Sequence, residues 1–219
     1  MDKPVLAIYG SGGLGREIYD IAQRRNNISN LWKSIIFIND FIEEGTVQGV
    51  PVIHFETLLK YKENYEVIIA IGEPSSREKL YNKLKDNGIS LTTLIDPTAL
   101  ISPSAEIAEG TIVCEFSSVH CCVTIGKNCL IQPYSDIGHD IKIGNHSVFS
   151  PHFAPGGESV FGDRVYVGMH AALKEKLKIG NDVIVAMGSV VFRDIPDETV
   201  VIGNPARVTK GNDEGKVFK

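Results

Sequence analysis

The sequence predicts an α/β unit, Rossmann-like but half the usual size, followed by a parallel β-helix. Two observations carry this: a strand, glycine turn and helix at the N-terminus, and a period of six held from Ile95 to Val191. Boundaries follow at 1–94 for the α/β unit, 95–196 for the solenoid and 197–219 for a C-terminal cap and tail.

Pro4 to Tyr9 reads as a buried strand that runs into Gly10-Ser11-Gly12-Gly13-Leu14-Gly15, and Ile18, Ile21 and Ala22 then recur at helical spacing. A second apolar run, Ser34 to Ile38, ends at Asn39-Asp40, and a third, Val67 to Ile71, stops at Gly72 before a charged helix from Ser76 to about Asn87. Such alternation makes a small parallel sheet with helices. Phosphate oxygens reach backbone N–H groups only where no Cβ intervenes, and a helix N-terminus is positively polarised. A glycine turn also serves plain helix-on-strand packing. Asn39-Asp40 at the next strand end, where an open α/β sheet has its crevice, favours a ligand. Roughly ninety residues are half of a dinucleotide fold, so a nucleotide joined to something else fits better than NAD.

Stepping by six from Ile95 to Val191 visits seventeen positions, and all but Pro155 are aliphatic or Phe. Two residues before them sit mostly small or β-branched side chains, such as Ala99, Thr111, Ser117, Ser147 and Ser189. A period of six fits neither a helix seam nor a strand alternation; it requires a short strand and a corner per repeat, stacked as a solenoid. Burial of sixteen such side chains contributes roughly 1.5 to 3 kcal/mol each before chain entropy is subtracted. Pro155-Gly156-Gly157 is the one irregular step, and eighteen residues earlier lies Ile137-Gly138-His139-Asp140. Stability alone does not favour proline and glycine in a ladder; close approach of a ligand to the backbone would.

The chain is 43% apolar and 22% charged, which suits an ordered globular protein. A formal charge of −5 without massed Lys or Arg makes nucleic acid a poor partner. Met1-Asp2-Lys3-Pro4 leads into an apolar run too short for a signal core or a membrane span, so a cytoplasmic location without membrane association is expected. Cys114, Cys121, Cys122 and Cys129 include no C-x-x-C pair and are read as reduced, mostly small packing residues. The tail from Lys210 to Lys219, charged and glycine-containing, is expected to be mobile.

The glycine turn, the Ile137-x-His139-Asp140 hexad and the terminal Gly203-Asn204-Pro205-Ala206 together resemble the sugar O- and N-acyltransferases of the sialic acid O-acetyltransferase type, hexapeptide-repeat enzymes that include bacterial nucleotide-linked 4-amino-4,6-dideoxysugar N-acetyltransferases. The resemblance covers residues 4 to about 208. It implies a left-handed β-helix with three hexads per coil, active sites between the subunits of a homotrimer, acetyl-CoA as co-substrate, no metal, and a place in bacterial surface polysaccharide synthesis. His139 corresponds to the catalytic base and Asp140 to its carboxylate partner. Gly10 to Gly15, Asn39, Asp40, Gly72 and Gln132 correspond to the nucleotide-sugar site. Val148, Gly157, Gly168, Ala186 and Pro205 correspond to the acetyl-CoA site, with the Gly157 N–H facing the acetyl carbonyl. Three positions depart from the family: Val148 replaces a second histidine, Gln132 an asparagine and Leu14 a histidine.

The implied reaction is direct attack of a sugar amine, on a dTDP- or UDP-linked 4-amino-4,6-dideoxyhexose, on the thioester. Imidazole suits the base because its pKa lies near working pH, and a carboxylate on its other nitrogen fixes the tautomer. Neighbours in a strand point to opposite faces, so the His139–Asp140 pair requires corner geometry, here attributed to Gly138. Four alternatives stand beside this reading: O-acetylation of sialic acid or a related hydroxyl, a non-catalytic nucleotide-sugar-binding scaffold, His139 as an ordinary surface histidine, and a zinc site drawing on His146, His152 and His170, which share a hexad phase.

Overall fold

The computed structural model describes residues 3–218; Met1, Asp2 and Lys219, and with them the first part of the N-terminal lead and the last residue of the tail, lie outside the described residues. Five strands and three helices form the N-terminal unit: β1 (Val5–Tyr9), α1 (Gly13–Ser29), β2 (Ser34–Ile38), β3 (Gly45–Val47), β4 (Val50–Ile53), α2 (Phe55–Leu59), β5 (Tyr65–Ile69) and α3 (Pro74–Asp86). The sheet order is β3-β4-β2-β1-β5, parallel except for β3. The third apolar run therefore pairs as Tyr65–Ile69, two residues earlier than its composition suggests, and α3 begins at Pro74. Proline is suited to that first position because its φ is helical and it has no N–H to leave unpaired.

From Leu94 onward the chain is a left-handed parallel β-helix whose two-residue strands recur every six residues, each pairing with the strand eighteen residues away. From Val113 to Val191 the inward positions are all buried, Pro155 included. Ile95, Ile101 and Ile107, in the first coil, are only half-buried. The small side chains two residues earlier also point inward and tie coils together: Thr111 Oγ1 donates to the Gly126 carbonyl at 2.9 Å and accepts the Cys129 N–H at 3.0 Å.

Corners are made by backbone conformation. Every sixth residue from Gly110 to Gly188 has positive φ, and those that are not glycine lie between 54° and 63°. In this conformation the corner N–H turns onto the carbonyl nineteen residues earlier, as from Asp140 to Cys121 at 3.0 Å and from His146 to Lys127 at 2.8 Å.

The outward residues distinguish three faces. One carries Leu94, Ile112, Leu130 and Val148 and packs beneath α1 and β1 in a shared core with Leu6, Ile8, Ile18 and Ile21. The next carries Leu100, Ser118, Asp136, Ala154, Ala172 and Val190, a neutral surface apart from Asp136. The third, with Glu106, Thr124, Lys142 and Lys178, is charged and solvated. The neutral ladder is divided between Ile137 and Pro155, where proline has no N–H to return to the preceding coil. We call the covered–neutral corner the first edge, the neutral–charged corner the second and the charged–covered corner the third.

A buried cation joins the two units. Arg77 of α3 is fully buried and donates five hydrogen bonds, to Ile69 O, Ile71 O, Asn128 O, Asn128 Oδ1 and Cys129 O, at 2.8–3.3 Å. Burial lowers its pKa to about 10, so it stays charged at neutral pH. Asn128 returns a bond to the Arg77 carbonyl and another to His146 Nδ1, both at 3.0 Å.

The tail is docked, contrary to the expectation of mobility. Residues 206–211 pair with 199–203 in a closing hairpin, and the Glu73 carboxylate accepts the N–H groups of Val217 and Phe218 at 3.0 Å. The Phe218 ring meets Tyr166 edge-on. Of the cysteines, Cys114 and Cys129 are packing residues, but Cys121 and Cys122 are exposed at the second edge because their corner points outward. None of the described helices is long and apolar enough to cross a membrane.

Replacing Arg77 with Met strands several buried carbonyls, so the variant should lose about 3 kcal/mol or more in urea unfolding. Burial holds the His146 imidazole below its ordinary pKa of 6.5. The unfolded chain thus binds this proton at higher pH than the folded one; the contribution is intact above about 6.5 and is lost as pH falls below it. His146→Asn should flatten the fall in stability between about pH 7 and pH 5, measured as urea midpoints.

Candidate active site

His139 and Asp140 occupy the second edge, directly after the strand Asp136–Ile137. His139 Nδ1 lies 2.8 Å from Asp140 Oδ2, and both side chains are a little over half exposed. The pairing of adjacent residues comes from Asp140 itself, whose φ of 57° swings its carboxylate to the imidazole side. Gly138 acts differently from the sequence expectation: its φ is not positive, and it is a close-contact residue, since a Cβ there would stand 3.2 Å from the Pro155 carbonyl. With Nδ1 held by the carboxylate as donor, Nε2 is left as the acceptor.

Gly157, one coil further on, lies against that ring. A Cβ at Gly157 would come within 2.6 Å of His139 Nε2 and 2.7 Å of Cε1. Among the described residues the Gly157 N–H donates to no acceptor, while its carbonyl accepts from Lys176. His139 Nε2 therefore lies beside a residue whose backbone donor has no partner among the described residues.

The glycine turn has two parts. Gly10, at φ 116°, and Gly15 are needed for packing: a Cβ on Gly15 would lie 2.1 Å from the Gly10 carbonyl. Around Gly12 and Gly13 no atom from another part of the chain lies within 4 Å of the Cβ position, and Gly12 caps α1 without a side-chain hydrogen bond. Ser11 is buried and accepts from Asn39 Nδ2 at 2.7 Å. Leu14 and Phe218 flank Gly72. Asp40 is occupied by the protein: its oxygens accept Tyr9 OH at 2.6 Å, the Phe55 N–H at 2.8 Å and Lys83 Nζ at 3.2 Å. Partial burial works against its charge, but these donors hold the carboxyl below its ordinary value, and the Tyr9 phenol is pushed up by burial and by Asp40.

Gln132, on the first edge, lines a cleft of about 390 Å³ together with Glu17 and Ile21 of α1 and with Glu115, Pro151 and Tyr166. The α1 residues of this cleft were not expected from the sequence; the helical spacing of Glu17 and Ile21 was the available signal. Also unexpected was a second imidazole–carboxylate pair, His120 Nε2 with Asp136 Oδ1 at 2.8 Å, Asp136 accepting from Ser118 as well. Coil register brings these residues, sixteen and eighteen apart, together.

The residues matched to acetyl-CoA fall in different places. Gly157 is on the second edge, Gly168 and Ala186 are on the first, and Pro205 is in the closing hairpin, whose Gly203 N–H reaches Ser189 on the first edge. Val148 is excluded. It points outward on the covered face, is 1% exposed and packs in the core beneath α1. His146 lies on the third edge against Tyr81, whereas His152 and His170 stack on the first, so the shared phase does not gather them; no three His, Cys, Asp or Glu among the described residues are arranged to hold a metal.

Two family models match the chain, that of the PglD N-terminal domain over residues 5–84 and that of the bacterial transferase hexapeptide (six repeats) over residues 122–152. The GDP-perosamine N-acetyltransferase of Escherichia coli O157:H7 is 28% identical over 211 residues, 93% of this chain and 95% of its own length. Among solved structures, the acetyltransferase domain of PglB from Neisseria gonorrhoeae FA1090 superposes with a TM-score of 0.88 at 27% identity, covering 94% of this chain and all of that one. PerB from Caulobacter crescentus, crystallised with CoA and GDP-perosamine, superposes with a TM-score of 0.85 at 28% identity, covering 94% and 97%. The chain thus joins a PglD-type α/β unit to hexapeptide coils and is similar along almost its full length to these acetyltransferases.

Proposed function

We propose that this protein transfers an acetyl group from acetyl-CoA to the amino group of a nucleotide-linked 4-amino-4,6-dideoxyhexose. The observation that carries the reading is His139 Nε2 facing the Gly157 backbone while Nδ1 is held by Asp140. His139 takes a proton from the sugar amine as its nitrogen attacks the thioester carbonyl. The Gly157 N–H meets the developing oxyanion, a contribution of about 3 kcal/mol to lowering the barrier. As the new C–N bond persists and the C–S bond breaks, the imidazolium returns its proton to the leaving thiolate, and Asp140 stabilises the charged imidazole in between. An amide and free CoA are the products, and no acyl-enzyme is required.

The open N-terminus of α1 at Gly12 and Gly13 suits the diphosphate, and the cleft beside Gln132 suits the sugar. Relatives named for GDP-perosamine bring guanosine into consideration beside the uridine and thymidine nucleotides inferred from the sequence. Cleft and base lie on different edges of one prism, which favours a homotrimer. Three copies packed by their neutral faces set the first edge of one beside the second edge of the next, so the cleft of one chain opens toward His139 of its neighbour.

Purified protein with acetyl-CoA and a panel of GDP-, UDP- and dTDP-linked 4-amino-4,6-dideoxyhexoses should release thiol with one of them, and His139→Ala should abolish it. Turnover on a sugar hydroxyl instead would move the reading to O-acetylation; no release with any acceptor would leave a binding scaffold. Gly157→Ala should separate activity from stability. The exposed His139 ring can swing aside, so the unfolding midpoint should hold while kcat falls about a hundredfold through misplacement of the base.

A further inference from the structure

Val217 and Phe218 are held in place without entering a core. The Glu73 carboxylate, at the residue that precedes α3, accepts both of their N–H groups at 3.0 Å, so two successive backbone donors clasp one side chain from a distant part of the chain. The Phe218 ring stands edge-on to Tyr166, centroids 5.5 Å apart and planes at 84°. Its rim lies 3.6 Å from where a Cβ of Gly72 would be, and Leu14 Cδ2 lies 3.9 Å from the same point. Phe218 is nevertheless 56% exposed. Core burial does not account for the clasp: a ring fixed by charge-assisted hydrogen bonds and left more than half open has a surface to offer. Each neighbour of that ring belongs to the acceptor site. Leu14 follows Gly13 in the first turn of α1, Gly72 lies in the loop between β5 and α3, and Tyr166 lines the cleft beside Gln132.

We propose that Phe218 is a specificity-determining residue for the acceptor, forming with Leu14 an apolar wall against the C6 methyl of the 4-amino-4,6-dideoxyhexose, and that Glu73 is the residue that positions it. The inference rests on the N-acetyltransferase reading above and adds to it the part of the sugar that is read and the side chains that read it. With the diphosphate on the open N–H groups of Gly12 and Gly13 and the sugar in the cleft, the acceptor passes the first turn of α1, where Leu14 and Phe218 meet over Gly72. A 6-deoxyhexose has one purely apolar projection, the methyl on C5; the other ring substituents are hydroxyls, the amine and the glycosidic oxygen. Two hydrocarbon side chains without a donor or acceptor suit that projection. A hydroxymethyl in its place would lose water against the wall and gain no hydrogen-bond partner. The tail clasp is what such a wall requires, because a ring that is more than half exposed has too little packing of its own to hold one position.

The test uses the full chain, acetyl-CoA, the GDP-, UDP- and dTDP-linked 4-amino-4,6-dideoxyhexose panel, and for the accepted member its 4-amino-4-deoxyhexose counterpart, which keeps the C6 hydroxyl. Phe218→Ala, which leaves the backbone N–H in place, should lower the ratio of kcat/KM for the 6-deoxy sugar over the hydroxylated one about tenfold, chiefly through KM for the 6-deoxy sugar. KM for acetyl-CoA and the urea midpoint should hold. Phe218→Leu should restore most of the ratio. Glu73→Ala, which releases the tail, should lower it as Phe218→Ala does, and Glu73→Gln, which still offers an oxygen to the two N–H groups, should keep most of it. An unchanged ratio in both Phe218→Ala and Glu73→Ala would overturn the wall while leaving N-acetylation in place. A rise in kcat/KM for both sugars in those variants would overturn it in favour of a tail that obstructs the site. Absence of turnover by the unaltered protein with every member of the panel would overturn the wall and the N-acetyltransferase reading together.

Discussion

The positive-φ corner is the constraint on which the rest of this molecule depends. Each non-glycine residue held there costs roughly 1 to 3 kcal/mol in backbone strain. The strain is offset because the corner N–H then meets the carbonyl nineteen residues back, and the strands on either side stay in register. Repeated every six residues, the same turn lines up side chains eighteen apart in columns along each edge. Chemistry is assembled by that alignment. Asp140 reaches its neighbour His139 because it is a corner residue, and Gly157 lies under the imidazole because it is one coil away. On another edge the same geometry stacks the rings of Phe116, Tyr134, His152 and His170.

A prism of this kind has three faces but one hydrophobic interior, and what each face carries decides its use. The apolar outward row is covered by α1 and β1, the charged row is left to water, and the neutral row of small residues stays uncovered in the single chain. Arg77 fixes the attachment. Its guanidinium satisfies backbone carbonyls at the end of β5 and on the third edge together, which ties the rotation of the α/β unit to the coil register. The cleft between α1 and the first edge, and the direction in which Gln132 faces, follow from that attachment.

Much of the fold was legible in the residues. The period of six named the solenoid, the interruption at Pro155 marked the split in the neutral ladder, and His139 with Gly157 could be set one coil apart by counting eighteen. Other features were not legible. Val148, matched to a coenzyme-binding position, is buried because an outward residue on this face is roofed by α1, and a one-dimensional register does not say which face is roofed. Asp40 was matched to the nucleotide-sugar site from its place at a strand end, yet Tyr9, Lys83 and the start of α2 converge on it from three parts of the chain. Nor did the charged tail, read as mobile, announce that Glu73 would accept its N–H groups.

By itself the sequence determined what is periodic: which side chains enter the prism, where corners fall, and which residues share a column, because a repeat of six with three strands per coil turns spacing directly into position. Tertiary structure decided what is not periodic. The choice of covered face, the burial of a cation without a carboxylate, the occupation of Asp40 and the separation of cleft from base by an edge all depend on how a second, non-repeating unit packs on the first. Packing of that kind is set by shape and by the pairing of buried polar groups distant in the chain, and no local pattern encodes it.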